Sequence, residues 1–266
     1  MNTKSFSDFF ASKRFIILDG DGTLYLDRDP IDGSKELITL LNETSKDFAI
    51  ISNNDSLSYR TRLKLVRGIL GVNIKPKRFI LPTQPTIDYL KEKKIRSFDG
   101  LVTAGLRKDI ANGGIRYDEK SPQIIVIGFD TQLTYKKLRR VVSHINGGVD
   151  YLVTHTDLLC PTKRGSMPDA GSIFQLIRAA TRKEPIVIIG KPFKRIIDYV
   201  FKENGLNKKN VLIIGDMADT DVKMAESNDI DSVLIARGNS ELRKLKELSL
   251  HPSFVFGSLS DMVKAI

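Results

Sequence analysis

The chain has 266 residues, 41% of them hydrophobic, which is enough to bury a sizeable core in one large domain or in a core with an inserted domain. No apolar run approaches the roughly 20 residues of a membrane helix, and the N-terminus has no apolar stretch of signal-peptide length, so we expect a cytoplasmic protein with no membrane partner. The single Cys160 excludes an intramolecular disulfide, and three histidines without paired spacing disfavour a zinc site.

The net charge of +10 raises the question of nucleic acid. The basic residues are scattered, and short clusters such as the one at 136–140 have no interleaved aromatic residues that would stack on bases. This pattern predicts a solvated basic surface, with nucleic acid not expected as a partner. The positive field would still attract anionic substrates such as phosphate esters.

Short apolar runs alternate with amphipathic segments along the chain. The runs predict strands at 14–18, 48–52, 124–129, 151–155, 186–190, 211–215 and 232–236. The amphipathic segments predict helices at 34–42, 58–70, 134–145, 171–180, 193–204 and 220–227. This alternation predicts an α/β fold with parallel sheets and helical crossovers.

The motifs that carry chemistry fall in the two ends of the sequence and leave its middle empty. We therefore predict a catalytic core formed by residues 1–80 and 186–266, with residues 81–185 as an inserted α/β domain. Pro82 and Pro85 are the predicted hinge at its start, because proline breaks regular elements and rigidifies turns.

The first motif, DGDGT, follows the apolar run at 15–18 and places two carboxylates at a strand end, where ligands bind in parallel α/β sheets. In the hydrolysis of a phosphate ester, Asp19 would attack phosphorus and Asp21 would protonate the leaving oxygen. Gly22 would let the chain turn directly after these acids. The alternative of an EF-hand calcium loop fails, because the twelfth position from Asp19 is Pro30 rather than glutamate.

Two further motifs offer groups for a phosphate. In SNND, the Ser52 hydroxyl at a strand end would donate a hydrogen bond to a phosphoryl oxygen. The residues after it would begin a helix whose N-terminus attracts anions. Taken alone, the motif also fits a plain helix cap or turn. In GKP, Lys191 at a strand end would offset negative charge, although an ordinary exposed lysine fits equally well. The glycine and Lys-Ser/Thr spacing of a P-loop is missing.

The fourth motif, GDMADTD, follows the apolar run at 211–214. Hard oxygen ligands suit Mg²⁺, and Asp216 at the strand end is the expected direct ligand. Asp221 would lie in the first coordination sphere or orient a bound water from the second. Asp219 is expected to cap the helix that begins near Thr220 and is left out of the site.

The four motifs, in this order and each after an apolar strand, resemble the haloacid dehalogenase (HAD) superfamily of phosphatases. Stretches such as DGTLYLDRDPIDGSKELI and THTDLLCPTKRGSMPDAGS are similar to the branch with a large inserted α/β cap, the NagD-like or nitrophenyl-phosphatase-like hydrolases. The resemblance covers almost the whole chain. It implies a HAD-like Rossmannoid core with a parallel sheet, Mg²⁺ as cofactor and an aspartyl-phosphate intermediate.

Carried over by motif, the resemblance implies a role for each catalytic residue. Asp19 would be nucleophile and metal ligand, and Asp21 general acid and base, with its main-chain carbonyl on the metal. Lys191 would balance charge and Asp216 would complete the metal site. Asp221 is expected in the second coordination sphere.

Ser52 and Asn53 would hold the phosphate by the same resemblance. The residues expected to contact the rest of the substrate are Asn54, His155 and Asp157.

Three residues depart from the family pattern. Asp55 stands where a small hydroxyl residue is common, His155 where asparagine is common, and Asp169 where a small residue is usual. Asp169 would face the active site and select a polar or cationic leaving group, or it would lie on the surface. Both alternatives remain open at this point.

The expected function is Mg²⁺-dependent hydrolysis of small phosphomonoesters, namely sugar, glycerol, glycolate or nucleotide phosphates. One alternative is a catalytically silent HAD scaffold that binds or regulates. Another is a phosphotransferase that uses the same site. Homodimerisation through the cap is a further expectation that rests on the resemblance alone.

Overall fold

The computed structural model describes residues 5–44, 46–162 and 164–266. Residues 1–4, 45 and 163, which belong to the predicted core and inserted segments, lie outside the described residues. The chain divides into two units. Unit 1 consists of Met1–Ser52, Leu63–Ile80 and Ile197–Ile266, and unit 2 of Asn53–Arg62 and Leu81–Ile196.

The described residues form strands and helices in alternation. The strands are β1 (Phe15–Asp19), β2 (Tyr25–Leu26), β3 (Asp29–Pro30), β4 (Asp47–Ile51), β5 (Phe79–Ile80), β6 (Ser97–Leu101), β7 (Arg116–Tyr117), β8 (Ile124–Ile127), β9 (Tyr151–Val153), β10 (Leu159–Cys160), β11 (Met167–Pro168), β12 (Val187–Ile188), β13 (Val211–Gly215), β14 (Asp231–Ile235) and β15 (Phe254–Phe256). The α-helices are α1 (Phe6–Ala11), α2 (Ser34–Glu43), α3 (Tyr59–Leu70), α4 (Thr83–Glu92), α5 (Ala104–Asn112), α6 (Tyr135–Asn146), α7 (Ala170–Thr181), α8 (Lys194–Asn204), α9 (Lys223–Glu226), α10 (Asn239–Glu247) and α11 (Leu259–Lys264). Among the described helices, none combines the length and the apolar character needed to cross a bilayer.

Unit 1 is organised around a six-stranded sheet in the order β15-β14-β13-β1-β4-β5, and all its paired strands are parallel. β1 is central and every one of its residues is buried, as expected for a strand covered on both faces. It pairs with β13 on one side and β4 on the other. The carboxyl ends of these three strands therefore meet at one edge of the sheet.

Unit 2 has its own parallel sheet, in the order β12-β9-β8-β6-β7. Two clusters of buried aliphatic and aromatic side chains pack on it, one including Phe98 and Leu106, the other Val141 and Phe174. The predicted α/β class with parallel sheets is confirmed. The predicted domain boundaries stay predictions; β12, which they assigned to the core, pairs with β9 in unit 2.

Several elements escape sequence reasoning because their residues are atypical. β6 has the sequence SFDGL, with an acid and a glycine inside a fully buried strand. Helix α4 follows Pro82 and carries Pro85 in its first turn, where a missing N–H costs nothing. The prolines predicted to mark a hinge thus open a helix.

Two further predictions need correction. Asp219 does not cap a helix: it lies inside a π-helical turn (Ala218–Val222) and pairs with Lys244 at 3.3 Å. The basic cluster at 136–140 is not wholly a solvated surface. Arg140 forms two hydrogen bonds, of 2.6 and 2.9 Å, with the fully buried carboxylate of Asp99.

Candidate active site

The first group of candidate residues lies at the carboxyl edge of the unit 1 sheet. Asp19 is the last residue of β1, and Asp216 directly follows β13. A carboxylate oxygen of each, together with one from Asp221 in the π-helical turn, lies within 4.8 Å of the others. The structure thus brings Asp19 together with two acids that lie far from it in the sequence.

Neighbouring groups fix the Asp216 carboxylate. Thr23 donates a hydrogen bond of 3.1 Å from Oγ1 to Oδ1 of Asp216. Gly22 has a φ of +97°, and a Cβ there would lie 2.5 Å from Oδ2 of Asp216. Glycine is therefore required both for the left-handed backbone and for the close approach of the carboxylate.

Asp221 is held by its own turn. The main-chain N–H of Met217 donates to Oδ2 of Asp221 at 3.3 Å, and the carboxylate lies directly over Gly215, where a side chain would collide with it. Carboxylate oxygens are the ligands that Mg²⁺ prefers, and a water-rich octahedral shell needs only one or two of them from the protein. The donor set of Asp19, Asp216 and Asp221 therefore fits a hard divalent cation.

Asp21 is oriented by two hydroxyl groups within the same unit. Ser52 Oγ donates to Oδ2 of Asp21 at 2.6 Å, and the hydroxyl of Tyr25 donates to the same oxygen at 3.1 Å. Tyr25 is fully buried, and a Cβ on Gly20 would lie 2.7 Å from its hydroxyl. Sequence reasoning missed Tyr25; its signal was a tyrosine four residues after the second acid of the motif.

The second group of candidate residues lies in unit 2, where the Asn53 side chain clamps the main chain of Lys191. Asn53 Oδ1 accepts from the Lys191 N–H at 3.0 Å, and Asn53 Nδ2 donates to the Lys191 carbonyl at 3.1 Å. A Cβ on Gly190 would lie 2.6 Å from Asn53 Oδ1, so this approach requires glycine. Lys191 itself is buried.

Asp157 joins this clamp. Asn53 Nδ2 also donates to Oδ2 of Asp157 at 3.1 Å. Burial raises the pKa of Asp157, while the positive charges of His155 and Lys191 act in the opposite direction. Asp157, which is expected to contact substrate, is thus hydrogen-bonded to a predicted phosphate-binding residue.

His155 is fully buried, and both ring nitrogens are used. Nε2 lies 2.9 Å from Oδ1 of Asp169, and Nδ1 lies 3.0 Å from the Thr154 hydroxyl. Burial acts against a charged ring, but the charge and hydrogen bond of Asp169 and the charges of Asp55 and Asp157 outweigh it. The pKa of His155 is thereby raised to about 9.

Asp169 is not a surface residue, and that alternative is wrong: it is 4% exposed and also accepts the main-chain N–H of Ala170 at the start of α7. Asp55 is fully buried and accepts the main-chain N–H of Phe129 at 3.0 Å. Burial raises the pKa of Asp55, with His155 opposing the shift. The three residues that depart from the family pattern, Asp55, His155 and Asp169, thus lie in one cluster that combines two acidic groups with a basic one.

Asn54 lies in the loop that precedes α3. Its Oδ1 accepts from the Ser56 hydroxyl at 2.7 Å and from the Arg62 guanidinium, and its Nδ2 points at Cys160 Sγ, 3.7 Å away. These contacts fix the loop after the second motif. The helix predicted at 58–70 is α3 (Tyr59–Leu70), so the polar residues 53–55 precede the helix rather than begin it.

The comparisons with known proteins agree with this architecture. Residues 16–116 match the family model of haloacid dehalogenase-like hydrolases, and residues 188–262 match a HAD-hydrolase-like model. The acid sugar phosphatase of Staphylococcus aureus is 28% identical over 250 residues, which cover 93% of this chain and 95% of that protein.

Solved structures give the same result. The 4-nitrophenylphosphatase of Thermotoga maritima has a TM-score of 0.88 and 33% identity, and the match covers 96% of this chain and 98% of that one. The p-nitrophenyl phosphatase of Archaeoglobus fulgidus also has a TM-score of 0.88, with 26% identity over 96% and 99% of the two chains.

The chain belongs to the haloacid dehalogenase-like hydrolases, in the phosphatase branch that contains the NagD-like and nitrophenyl-phosphatase-like proteins. The fold is accordingly the HAD-like core with an α/β cap that the resemblance implied. This membership, with the acidic residues of the motifs all present, disfavours the silent-scaffold alternative.

Proposed function

We propose that the chain is a cytoplasmic, Mg²⁺-dependent phosphatase that hydrolyses small phosphomonoesters through an aspartyl-phosphate intermediate. The observation that carries the proposal is the acidic cluster of Asp19, Asp216 and Asp221 at one sheet edge, beside an Asp21 oriented by two hydroxyl groups.

In the first step, a carboxylate oxygen of Asp19 attacks phosphorus and the bond from phosphorus to the ester oxygen breaks. Asp21 gives its proton to that oxygen, so the alcohol leaves neutral. In the second step, Asp21 takes a proton from water, whose oxygen attacks phosphorus. Inorganic phosphate leaves and the Asp19 carboxylate is regenerated.

The metal would be held by Asp19 and Asp216, with the main-chain carbonyl of Asp21 and with Asp221 beside them or acting through water. When bound, Mg²⁺ would neutralise charge on the phosphoryl oxygens. Ser52, Asn53 and Lys191 are the proposed phosphate-binding residues. The hydroxyl of Ser52 has a second task in this proposal, since it also orients Asp21.

The proposed substrates are a class of small phosphomonoesters, namely sugar, glycerol, glycolate or nucleotide phosphates. The name of the S. aureus relative, acid sugar phosphatase, supports beginning with sugar phosphates. We propose hydrolysis by water rather than transfer of the phosphoryl group to an alcohol. A phosphorylated alcohol formed in the presence of added alcohols would show transfer instead.

The test is phosphate release from a panel of phosphomonoesters, with Mg²⁺ and with EDTA, for the wild type and Asp19→Asn. Asp219→Asn is the matched control, because Asp219 lies in the same turn as Asp221 but pairs with Lys244 instead. Release that requires both Mg²⁺ and Asp19 is expected. Release by Asp19→Asn at the wild-type rate would refute the nucleophile.

A further inference from the structure

The three residues at which the chain departs from its family pattern lie in one buried cluster of unit 2. Asp55 and His155 are both 0% exposed and Asp169 is 4% exposed. The imidazole of His155 contacts Asp169 through Nε2 and the Thr154 hydroxyl through Nδ1, and the charge of Asp55 acts on it from nearby. The cluster is a built feature of the fold rather than three separate substitutions.

The acidic groups around the ring favour its cationic form. Asp55, Asp157 and Asp169 all act electrostatically on His155 from nearby. Buried carboxylates without a counter-charge are strongly unfavourable. An imidazolium donates from both nitrogens, to Asp169 and to the Thr154 hydroxyl, whereas a neutral ring would donate to Asp169 and accept from Thr154, so the nearby charges rather than these two bonds favour the cation.

The cluster connects to the proposed phosphate-binding residues through one carboxylate. Ligand atoms of His155, Asp157 and Asp169 lie within 4.8 Å of one another. Asp157 accepts an N–H of Asn53, and Asn53 holds both the main-chain N–H and the carbonyl of Lys191. A change of charge on His155 therefore acts on this clamp through Asp157.

We propose that His155 is a positioning residue: as a buried imidazolium it favours the ionised form of Asp157 and holds it in place, so that Asp157 and Asn53 can set the main chain of Lys191 for phosphate binding. This inference rests on the proposed function, because it takes Asn53 and Lys191 as phosphate-binding residues. It assigns His155 an indirect role instead of the substrate contact implied by the family resemblance.

A metal ion is a weaker interpretation of the same residues. Both ring nitrogens of His155 already have hydrogen-bond partners, and Asp169 also holds the N–H of Ala170. A cation would have to displace these bonds. The charge pattern of one imidazolium among carboxylates needs no ion.

The charge state can be measured without any activity. The chain has three histidines, His144, His155 and His251, so ring signals in side-chain ¹H–¹⁵N NMR are assigned with His144→Asn and His251→Asn. With EDTA present, the His155 ring is expected to titrate with a pKa of about 9. Asp169→Asn should shift this titration toward lower pH. A wild-type ring that is neutral at pH 7.5 overturns the inference.

The positional effect is measured by binding of inorganic phosphate, with Mg²⁺ present, between pH 6 and 10. At pH 7, His155→Asn is expected to weaken phosphate binding by about tenfold, the scale typical of groups that support a site. The phosphate affinity of the wild type should fall by a similar factor as the pH rises through the titration of His155. The control variant His144→Asn should show the same pH dependence as the wild type.

The combined variant Asp55→Ser, His155→Asn and Asp169→Gly removes the charges together and supplies the residue types of the family pattern. It is expected to recover phosphate affinity to within about threefold of wild type without the alkaline loss, as coupled residues are non-additive. It also keeps the inference testable if His155→Asn alone fails to fold.

The outcomes separate this inference from the proposed function. If the wild type binds phosphate and hydrolyses esters but neither the pH nor the cluster variants change phosphate affinity, only the positioning role is overturned. If the wild type binds no phosphate at any pH, both are overturned. Loss of affinity in His155→Asn with recovery in the combined variant supports both.

Discussion

Ser52 Oγ donates a hydrogen bond of 2.6 Å to Oδ2 of Asp21, joining the end of β4 to the loop after β1. Tyr25 donates to the same oxygen from within that loop. A general acid must present its proton in a fixed direction, and two hydroxyl groups on one carboxylate oxygen restrict its rotation. The relationship also means that changing Ser52 would disturb both the acid and the proposed phosphate contact.

Asp21→Asn is expected to slow poor leaving groups more than good ones, because an alkoxide needs a proton whereas nitrophenolate leaves readily without one. We expect a loss of at least about 100-fold for an alkyl phosphate, the usual worth of general acid catalysis. The loss of kcat for nitrophenyl phosphate should be clearly smaller. Equal losses for the two substrates would argue against the acid role of Asp21.

Tyr25→Phe removes one of the two hydroxyl groups on Asp21 without opening space in the core. Loss of one such hydrogen bond costs about 0.5–1.5 kcal/mol, so kcat should fall by roughly two- to tenfold. The steady-state rate for an alkyl phosphate measures this. Leu26→Ala, at the neighbouring position of the same short strand, controls for a general disturbance of β2. A larger loss of kcat in Leu26→Ala than in Tyr25→Phe would count against a role of Tyr25 in orienting Asp21.

Asp216→Asn is expected to weaken Mg²⁺ binding, because it replaces a negative ligand that Thr23 holds in place. Calorimetric titration of Mg²⁺ should show a loss of about tenfold or more in affinity, the range in which groups at metal sites act. The control is again Asp219→Asn, which should bind Mg²⁺ like the wild type. Unchanged Mg²⁺ affinity in Asp216→Asn would refute its assignment as a ligand.

Arg140→Met is expected to destabilise unit 2, because it leaves the buried Asp99 carboxylate without its two guanidinium bonds. Breaking a buried pair by removing one partner costs about 3–5 kcal/mol. Arg139→Met, an exposed neighbour on α6, should change the free energy of unfolding little. Urea denaturation compares the two, and similar values would show that the pair adds nothing.

Stability should fall as the pH rises from about 6.5 toward 9. The folded state raises the pKa of His155 to about 9 from the usual 6.5, so it binds the proton more tightly than the unfolded chain. The stabilising contribution is therefore complete below pH 6.5 and is lost as the pH passes 9. The raised pKa values of Asp55 and Asp157 have the same sign of effect, but it begins at the usual carboxyl pKa of 3.8, below this interval.

Thermal unfolding at several pH values measures this dependence. The combined variant Asp55→Ser, His155→Asn and Asp169→Gly should show a flatter profile than the wild type between pH 6.5 and 9. A wild-type melting temperature that rises over this interval would contradict the assigned sign.

The sequence by itself determined the α/β class and led to the predicted site residues. Both follow from local physics: an apolar run of five residues predicts a buried strand, and polar residues directly after it lie at the ligand-binding edge of a parallel sheet. Asp19, Ser52 and Asp216 were predicted as site residues in this way. β6 escaped because Asp99 lies inside it, paired with an arginine from a distant helix.

Only the tertiary structure decided which of these residues meet and what charge they carry. Tyr25 became a partner of Asp21 through the turn between them, and Asp169 changed from a candidate surface residue to the buried partner of His155. The four-residue spacing between Asp21 and Tyr25 is compatible with the first relationship but does not establish it, and no spacing indicates the second. Burial and through-space charge exist only once the chain has folded, and they, rather than residue type, set the pKa of a group and the direction of its hydrogen bonds.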